Sequence, residues 1–310
     1  MAKSLVPKNQ RVIGTLCVFL SSTGFATVPT FTKKLYEHDT NAMGVMSVRF
    51  TLATLLMFAI RTVMVRNTPW PNLKNMAQLL LWGVCIMGIS LTYFVAINDI
   101  DTGLAIVLFY ANPLFIVFGS WIIWKKRPSK NVLISLVFTM VGVFITVGQV
   151  GDASMSAVAL VLLSAIFFTI YLLGLSHSLK QTDVITSVVL VNAGGALSYW
   201  FLVVTSPGSL TSEFPHDSVA WIYIAGLVVF GTVIPILGGF AGLKRVGPSM
   251  VSVLTTLEPV LAIAAGVIFL SEDLTINRVI GASFVLGALV ALSVLEARTE
   301  TSAGLGVTPP

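Results

Sequence analysis

The sequence predicts an all-α membrane protein, with ten transmembrane helices arranged as two inverted-topology five-helix repeats. Three observations predict it. The chain of 310 residues is 56% hydrophobic and only 10% charged, with a mean hydropathy of +0.94. Soluble domains carry roughly 25% charged residues, so this chain cannot cover a water-facing surface and must be solvated by lipid. Ten apolar runs of spanning length follow one another with short connectors. Finally, a stretch of the first half matches a stretch of the second at one constant offset.

A spanning helix needs about 20 mostly apolar residues. Runs of that kind cover residues 12–31, 42–64, 76–98, 103–124, 131–149, 155–175, 184–204, 218–241, 248–270 and 276–295. The first follows a short basic segment, "MAKSLVPKNQR". It is too long for a signal-peptide core and is read as a helix that stays. The longest connector, "TSPGSLTSEFPHDS", takes its turns from Pro207, Gly208 and Pro215. Residues 297–310 are predicted to be a disordered tail. Recurrent glycines such as Gly83, Gly194 and Gly195 predict close helix crossings.

Orientation follows from lysine and arginine. With the N-terminus in the cytoplasm, fourteen of them fall on cytoplasmic segments and three (Lys33, Lys34 and Arg278) outside. Arg49 is left inside a helix. Both termini are then cytoplasmic. The net charge of +5 and pI near 9.3 are explained by this loop bias, so no nucleic-acid partner is expected. Cys17 and Cys85 lie within apolar runs and read as packing thiols. No Cys/His cluster suggests a metal, and no cofactor is expected.

The repeat is read from "GLAIVLFYANPLFIVFGSWIIWKKRPSKNVLISLVF", beginning at Gly103, set against "SMVSVLTTLEPVLAIAAGVIFLSEDLTINRVIGASF", beginning at Ser249. An offset of 146 aligns them without a gap and brings Pro113 onto Pro259, Asn131 onto Asn277 and Phe138 onto Phe284. A unit of five helices is odd, so the second copy enters the bilayer upside down. Residues 12–149 form the first repeat and 155–296 the second. Secondary transporters built this way place substrate near the midplane between the halves.

Candidate functional residues are the polar groups at membrane depth. Glu258 lies near the middle of the ninth run, where an ionisable group is a functional hypothesis by default. Burial favours its protonated form, which suits proton coupling. Asn112 is its counterpart at the repeat offset. Pro113 and Pro259 each lack an N–H and free a carbonyl one turn earlier, on Phe109 and Thr255. A hydroxyl, water or ligand can satisfy such a carbonyl. Arg49 is the one intramembrane cation. It can bind a substrate carboxylate, snorkel outward or pair with Glu258. Thr255 shares a helix face with Glu258, and Tyr93 and Tyr110 lie at similar depth.

The segment "PVLAIAAGVIFLSEDLTINRVIGASFVLGA" resembles the EamA family of the drug/metabolite transporter superfamily. It shows the helix-breaking proline, the small-residue-rich helix, the Glu-containing turn and the Gly-rich last helix. "NPLFIVFGSWIIWKKRPSKNVLISLVFTMVGV" resembles the same module, with Lys126 where the second copy has Glu272. The resemblance covers residues 12–296. It implies a carrier of the bacterial plasma membrane, moving amino acids or other small metabolites, often outward, by alternating access. The partners are a small-molecule substrate, lipid and, as a candidate, protons. A monomer is compatible with this plan.

A solute channel or facilitator is the alternative, since Asn112-Pro113 is similar to a channel-type Asn-Pro signature. Here, however, it sits inside a full-length apolar run. An integral membrane enzyme is less favoured: HExxH is absent, His38, His177 and His216 fall in loops or at helix ends, and there is no Walker-type loop.

Overall fold

The computed structural model describes residues 8–125, 155–178, 182–205, 211–246, 257–276 and 279–288, with scattered positions between 133 and 145 and at 251, 254, 255, 290 and 291. The described residues are helical and turn-linked, without a strand. Seven helical spans among them are long and apolar enough to cross a membrane, and two shorter apolar helices, Glu258–Leu270 and Val279–Ala288, accompany them. The protein is therefore a multi-pass membrane protein. The predicted fifth run, 131–149, and the predicted tail lie largely outside the described residues.

The first three runs form single helices, α1 (Lys8–Tyr36), α2 (Ala42–Met64) and α3 (Leu73–Ala96). The fourth run is not one helix. It breaks into α4 (Thr102–Phe109) and α5 (Asn112–Trp124) because Pro113 has no N–H to give Phe109. The second half contributes α6 (Met155–Ser178), α7 (Val184–Thr205) and α8 (Ser218–Val228). A π-helical turn, Val229–Val233, joins α8 to α9 (Ile234–Val246). Then come α10 (Glu258–Leu270) and α11 (Val279–Ala288).

Backbone geometry repeats at the sequence offset. Ala111 and Leu257, 146 apart, precede α5 and α10 with nearly the same dihedrals (φ −72°, ψ −9° and φ −74°, ψ −20°). Lys125 and Ser271, again 146 apart, end those helices in the left-handed region at φ 53° and φ 55°. Each helix has its proline in the first turn, where a missing N–H costs nothing.

Packing runs across the two halves. α1 lies along α9, α2 on α7, α3 on α6 and α7, and α10 on α1 and α4. Glycines set the closest crossing: a Cβ on Gly83 would collide with the backbone of Gly194 and Gly195. Gly83→Val is therefore expected to lower the melting temperature in detergent by several degrees, since overpacking costs about 1–3 kcal/mol where the neighbour is backbone. Gly287→Ala, with nothing within 4 Å of the added methyl, should leave the melting temperature unchanged.

The outward faces remain apolar. Leu16, Val63, Ile122 and Ile268 are 61–81% exposed, as lipid contact requires. At the loop end that joins α1 to α2 and α7 to α8, Asp217 caps α8. Its carboxylate accepts the amides of Val219 and Ala220 at 2.7 and 2.8 Å and faces His38 at 3.0 Å. The Ala220 amide first, helped by the Val219 amide and His38, holds that carboxyl below the usual range.

Candidate functional site

A cavity of about 620 Å³ lies between the two halves. α1, α2, α3 and α4 of the first half and α6, α7, the π turn, α9 and the segment leading into α10 of the second half all contribute to its wall. Its lining is mostly apolar and aromatic, including Phe25, Phe109, Phe168 and Phe240, with a few polar groups: Arg49, Tyr93, Asn192, Thr232, Thr255 and Glu258. A concave apolar site with sparse polar groups is the usual form of a small-molecule site.

The cavity is shut at one end. Lining residues nearest the α1–α2 and α3–α4 loops are buried, among them Pro29, Arg49 and Phe94. Lining residues toward the opposite end, Tyr171, Val188, Phe240 and Val251, are half-exposed.

Arg49 lies seven residues into α2, roughly 10 Å along the helix, and is 9% exposed. The backbone opposite it explains why it stays there. The α-helical donor to the Gly231 carbonyl would be residue 235, a proline without an N–H. The chain widens into the π turn, and Arg49 Nη2 donates to the Gly231 carbonyl at 3.3 Å. Arg49 Nε and Nη2 also donate to Thr232 Oγ1 at 3.2 Å each. Phe50 and Phe94 lie 5.6 and 5.9 Å from the guanidinium carbon. Nη1 reaches only the Met46 sulfur, at 3.6 Å, a weak acceptor. All these partners are neutral, and no ion pair joins Arg49 to Glu258 among the described residues.

Thr232→Val keeps shape and removes the oxygen that takes two of these bonds. It is expected to weaken the binding of a carboxylate ligand in this cavity about fivefold, consistent with roughly 1 kcal/mol of lost positioning. A binding titration checks this.

Glu258 is the first residue of α10. The helix N-terminus favours a carboxylate there, and the proline beside it lies in the first turn. The Tyr110 hydroxyl lies near this carboxylate. Tyr93 is 6% exposed, and its hydroxyl has no hydrogen-bond partner among the described residues. Its ring meets Phe109 edge-on at 5.7 Å, and Phe109 meets Phe168 at 5.4 Å.

The predicted residues thus divide. Arg49, Tyr93, Thr255 and Glu258 share the cavity wall. Tyr110 is near Glu258 but does not line the cavity. Asn112 is buried and does not face the cavity: its side-chain amide donates at 2.9 Å to the Phe109 carbonyl that Pro113 leaves free. Pro113 and Pro259 act through the helix breaks. The π turn and Thr232 were not anticipated, although "GTVIP" at 231–235 carries the signal, a proline four residues after a glycine.

Known proteins resemble this chain over nearly its full length. The profile of the EamA-like transporter family matches twice, at residues 12–148 and 155–294. An uncharacterised transporter of Bacillus subtilis, YcbK, is 24% identical over 303 residues, covering 94% of this chain and 96% of the relative. The threonine/homoserine exporter RhtA of Escherichia coli K12 is 25% identical over 269 residues, covering 81% and 80%. A crystal structure of another protein superposes with a TM-score of 0.63 at 17% identity, over 94% of this chain and 99% of that one, a likeness of fold.

Proposed function

From the premise that this chain belongs to the EamA-like transporter family, we propose that it is a secondary transporter that exports small metabolites such as amino acids by alternating access. The cavity between the halves, with both a buried guanidinium and a carboxylate in its lining, carries this reading. A zwitterion presents both complementary charges. The likeness to RhtA favours amino acids as the cargo class and export as the direction.

Lysine and arginine bias puts both termini in the cytoplasm, as in a plasma-membrane protein of the bacterial inner membrane. The half-exposed end of the cavity is then the cytoplasmic one, and the shut end the outer one. The two halves are inverted copies that rock about the cavity, with the breaks before α5 and α10 as the bending points. Glu258 is the proton-coupling group, and Asn112 and Tyr110 shape the break behind it.

Purified protein in liposomes, tested against pooled amino acids with threonine and homoserine included, should give saturable flux and counter-flow of labelled cargo. Non-saturable flux without counter-flow would favour the channel reading instead.

A further inference from the structure

At the shut end, one carboxylate from the second half reaches into the first. The left-handed turn at Ser271 folds Glu272 back over the end of α10, and its amide donates to the Gly266 carbonyl at 3.2 Å. Glu272 Oε1 accepts the Thr102 amide at 2.7 Å and the Thr102 hydroxyl at 2.9 Å. Oε2 accepts the Gly103 amide at 3.1 Å. Lys33 Nζ, from α1, stands 3.5 Å from Oε1 and also donates to the Ile100 carbonyl at 3.4 Å.

The Glu272 side chain is only 6% exposed. Room for it comes from Gly266, where an added Cβ would lie 2.6 Å from Oε2 and 2.8 Å from the Thr102 hydroxyl. The helix end that receives the carboxylate is the start of α4, one turn before Ile106 on the cavity wall.

We propose that Glu272, docked on the first turn of α4 and on Lys33, is the closure that shuts the cavity at this end and must undock for cargo to pass. The inference rests on the alternating-access reading. Two features set this contact apart from the loop contacts across the halves at the same end. The His38–Asp217 pair and the Asn41 bonds to 211 and 213 join connecting segments and are more exposed. Glu272 instead joins the two broken helices, α4 and α10, whose breaks let each half-helix tilt. It is also nearly dry, so water competes little with its docked bonds. Undocking exchanges those bonds for water once the passage opens, which makes the contact reversible.

The test measures accessibility and transport separately. With Cys17 and Cys85 replaced by serine, Ile106→Cys reports access to the cavity from the outer face in oriented proteoliposomes, using a membrane-impermeant maleimide. Labelling should be slow in this parent, at least tenfold faster in Glu272→Ala and intermediate in Glu272→Gln. Lys33→Ala and Thr102→Val should shift it the same way, which keeps the test usable if Glu272→Ala folds poorly. In a Thr102→Cys/Glu272→Cys protein, a short reversible bis-thiosulfonate bridge should stop transport, and reductant should restore it. Unchanged labelling in folded variants overturns the proposal, as does transport that continues across the bridge, the mark of a static brace. A parent that moves no solute while Glu272→Ala still speeds labelling would sink the transport reading and leave the closure standing.

Discussion

Arg49→Gln should abolish saturable export at physiological cargo concentrations while the protein still folds. Three of the Arg49 bonds go to neutral oxygens on the π turn, and Nη1 is left with a thioether. The guanidinium therefore has donor capacity and a full charge to spare on the cavity wall. A cargo carboxylate would engage it in the two-pronged geometry that arginine favours. Hydrogen bonds to charged groups contribute about 1.5–3 kcal/mol each, so losing the pair should raise the apparent KM at least about a hundredfold.

Arg49→Lys should fail nearly as badly, because an ammonium cannot span Thr232 and a carboxylate in one plane. Arg49→Met separates this from a bracing role. A buried cation held only to keep the fold is often replaced by a hydrophobe without loss, so a stable Arg49→Met protein with intact transport would refute the carboxylate contact. Counter-flow titrations alongside melting curves make the distinction.

Much of this architecture is legible in composition and spacing because lipid imposes blunt rules. Runs of spanning length follow from hydropathy, and the helix breaks at 110–111 and 257 follow from Pro113 and Pro259. The contacts that position the site are less legible. Asn112 occupies the position equivalent to Glu258, and sequence symmetry suggests that it faces the cavity. In fact the carbonyl freed by its own neighbour, Pro113, is nearer and takes its amide.

The π turn was readable in principle from Pro235. What the sequence does not say is that Arg49, 182 residues from Gly231, would be the donor. Glu272 reads locally as an acidic turn residue. Its partner lies 170 residues away on α4, and only the close approach at Gly266 brings the two together. Long-range polar contacts depend on helix register, and small residues fix register through shape rather than through any pattern along the chain.

Glu258→Gln should remove the dependence of transport on a pH gradient while leaving counter-flow measurable. An ionised carboxylate on an apolar wall at mid-membrane is expensive unless it is paired or protonated. Glu258 faces no basic side chain within salt-bridge range among the described residues. The Tyr110 hydroxyl is its polar neighbour. Under the proposed function, cargo ammonium and proton are alternative partners for one carboxylate. A cargo bound as a cation would displace the proton, and a returning proton would displace the cargo, which is the exchange that proton-driven export requires.

Glutamine keeps the shape but cannot ionise, so it mimics the protonated site. Cargo exchange down a concentration gradient should continue, weakened by the lost ammonium contact. Accumulation driven by an imposed pH gradient should fall to the level of protein-free liposomes. Tyr110→Phe should do less, slowing transport severalfold with its pH response retained, because it removes a neighbouring hydroxyl rather than the titrating group. If Glu258→Gln liposomes still concentrate cargo against its gradient when pH alone is varied, the proton travels by another route.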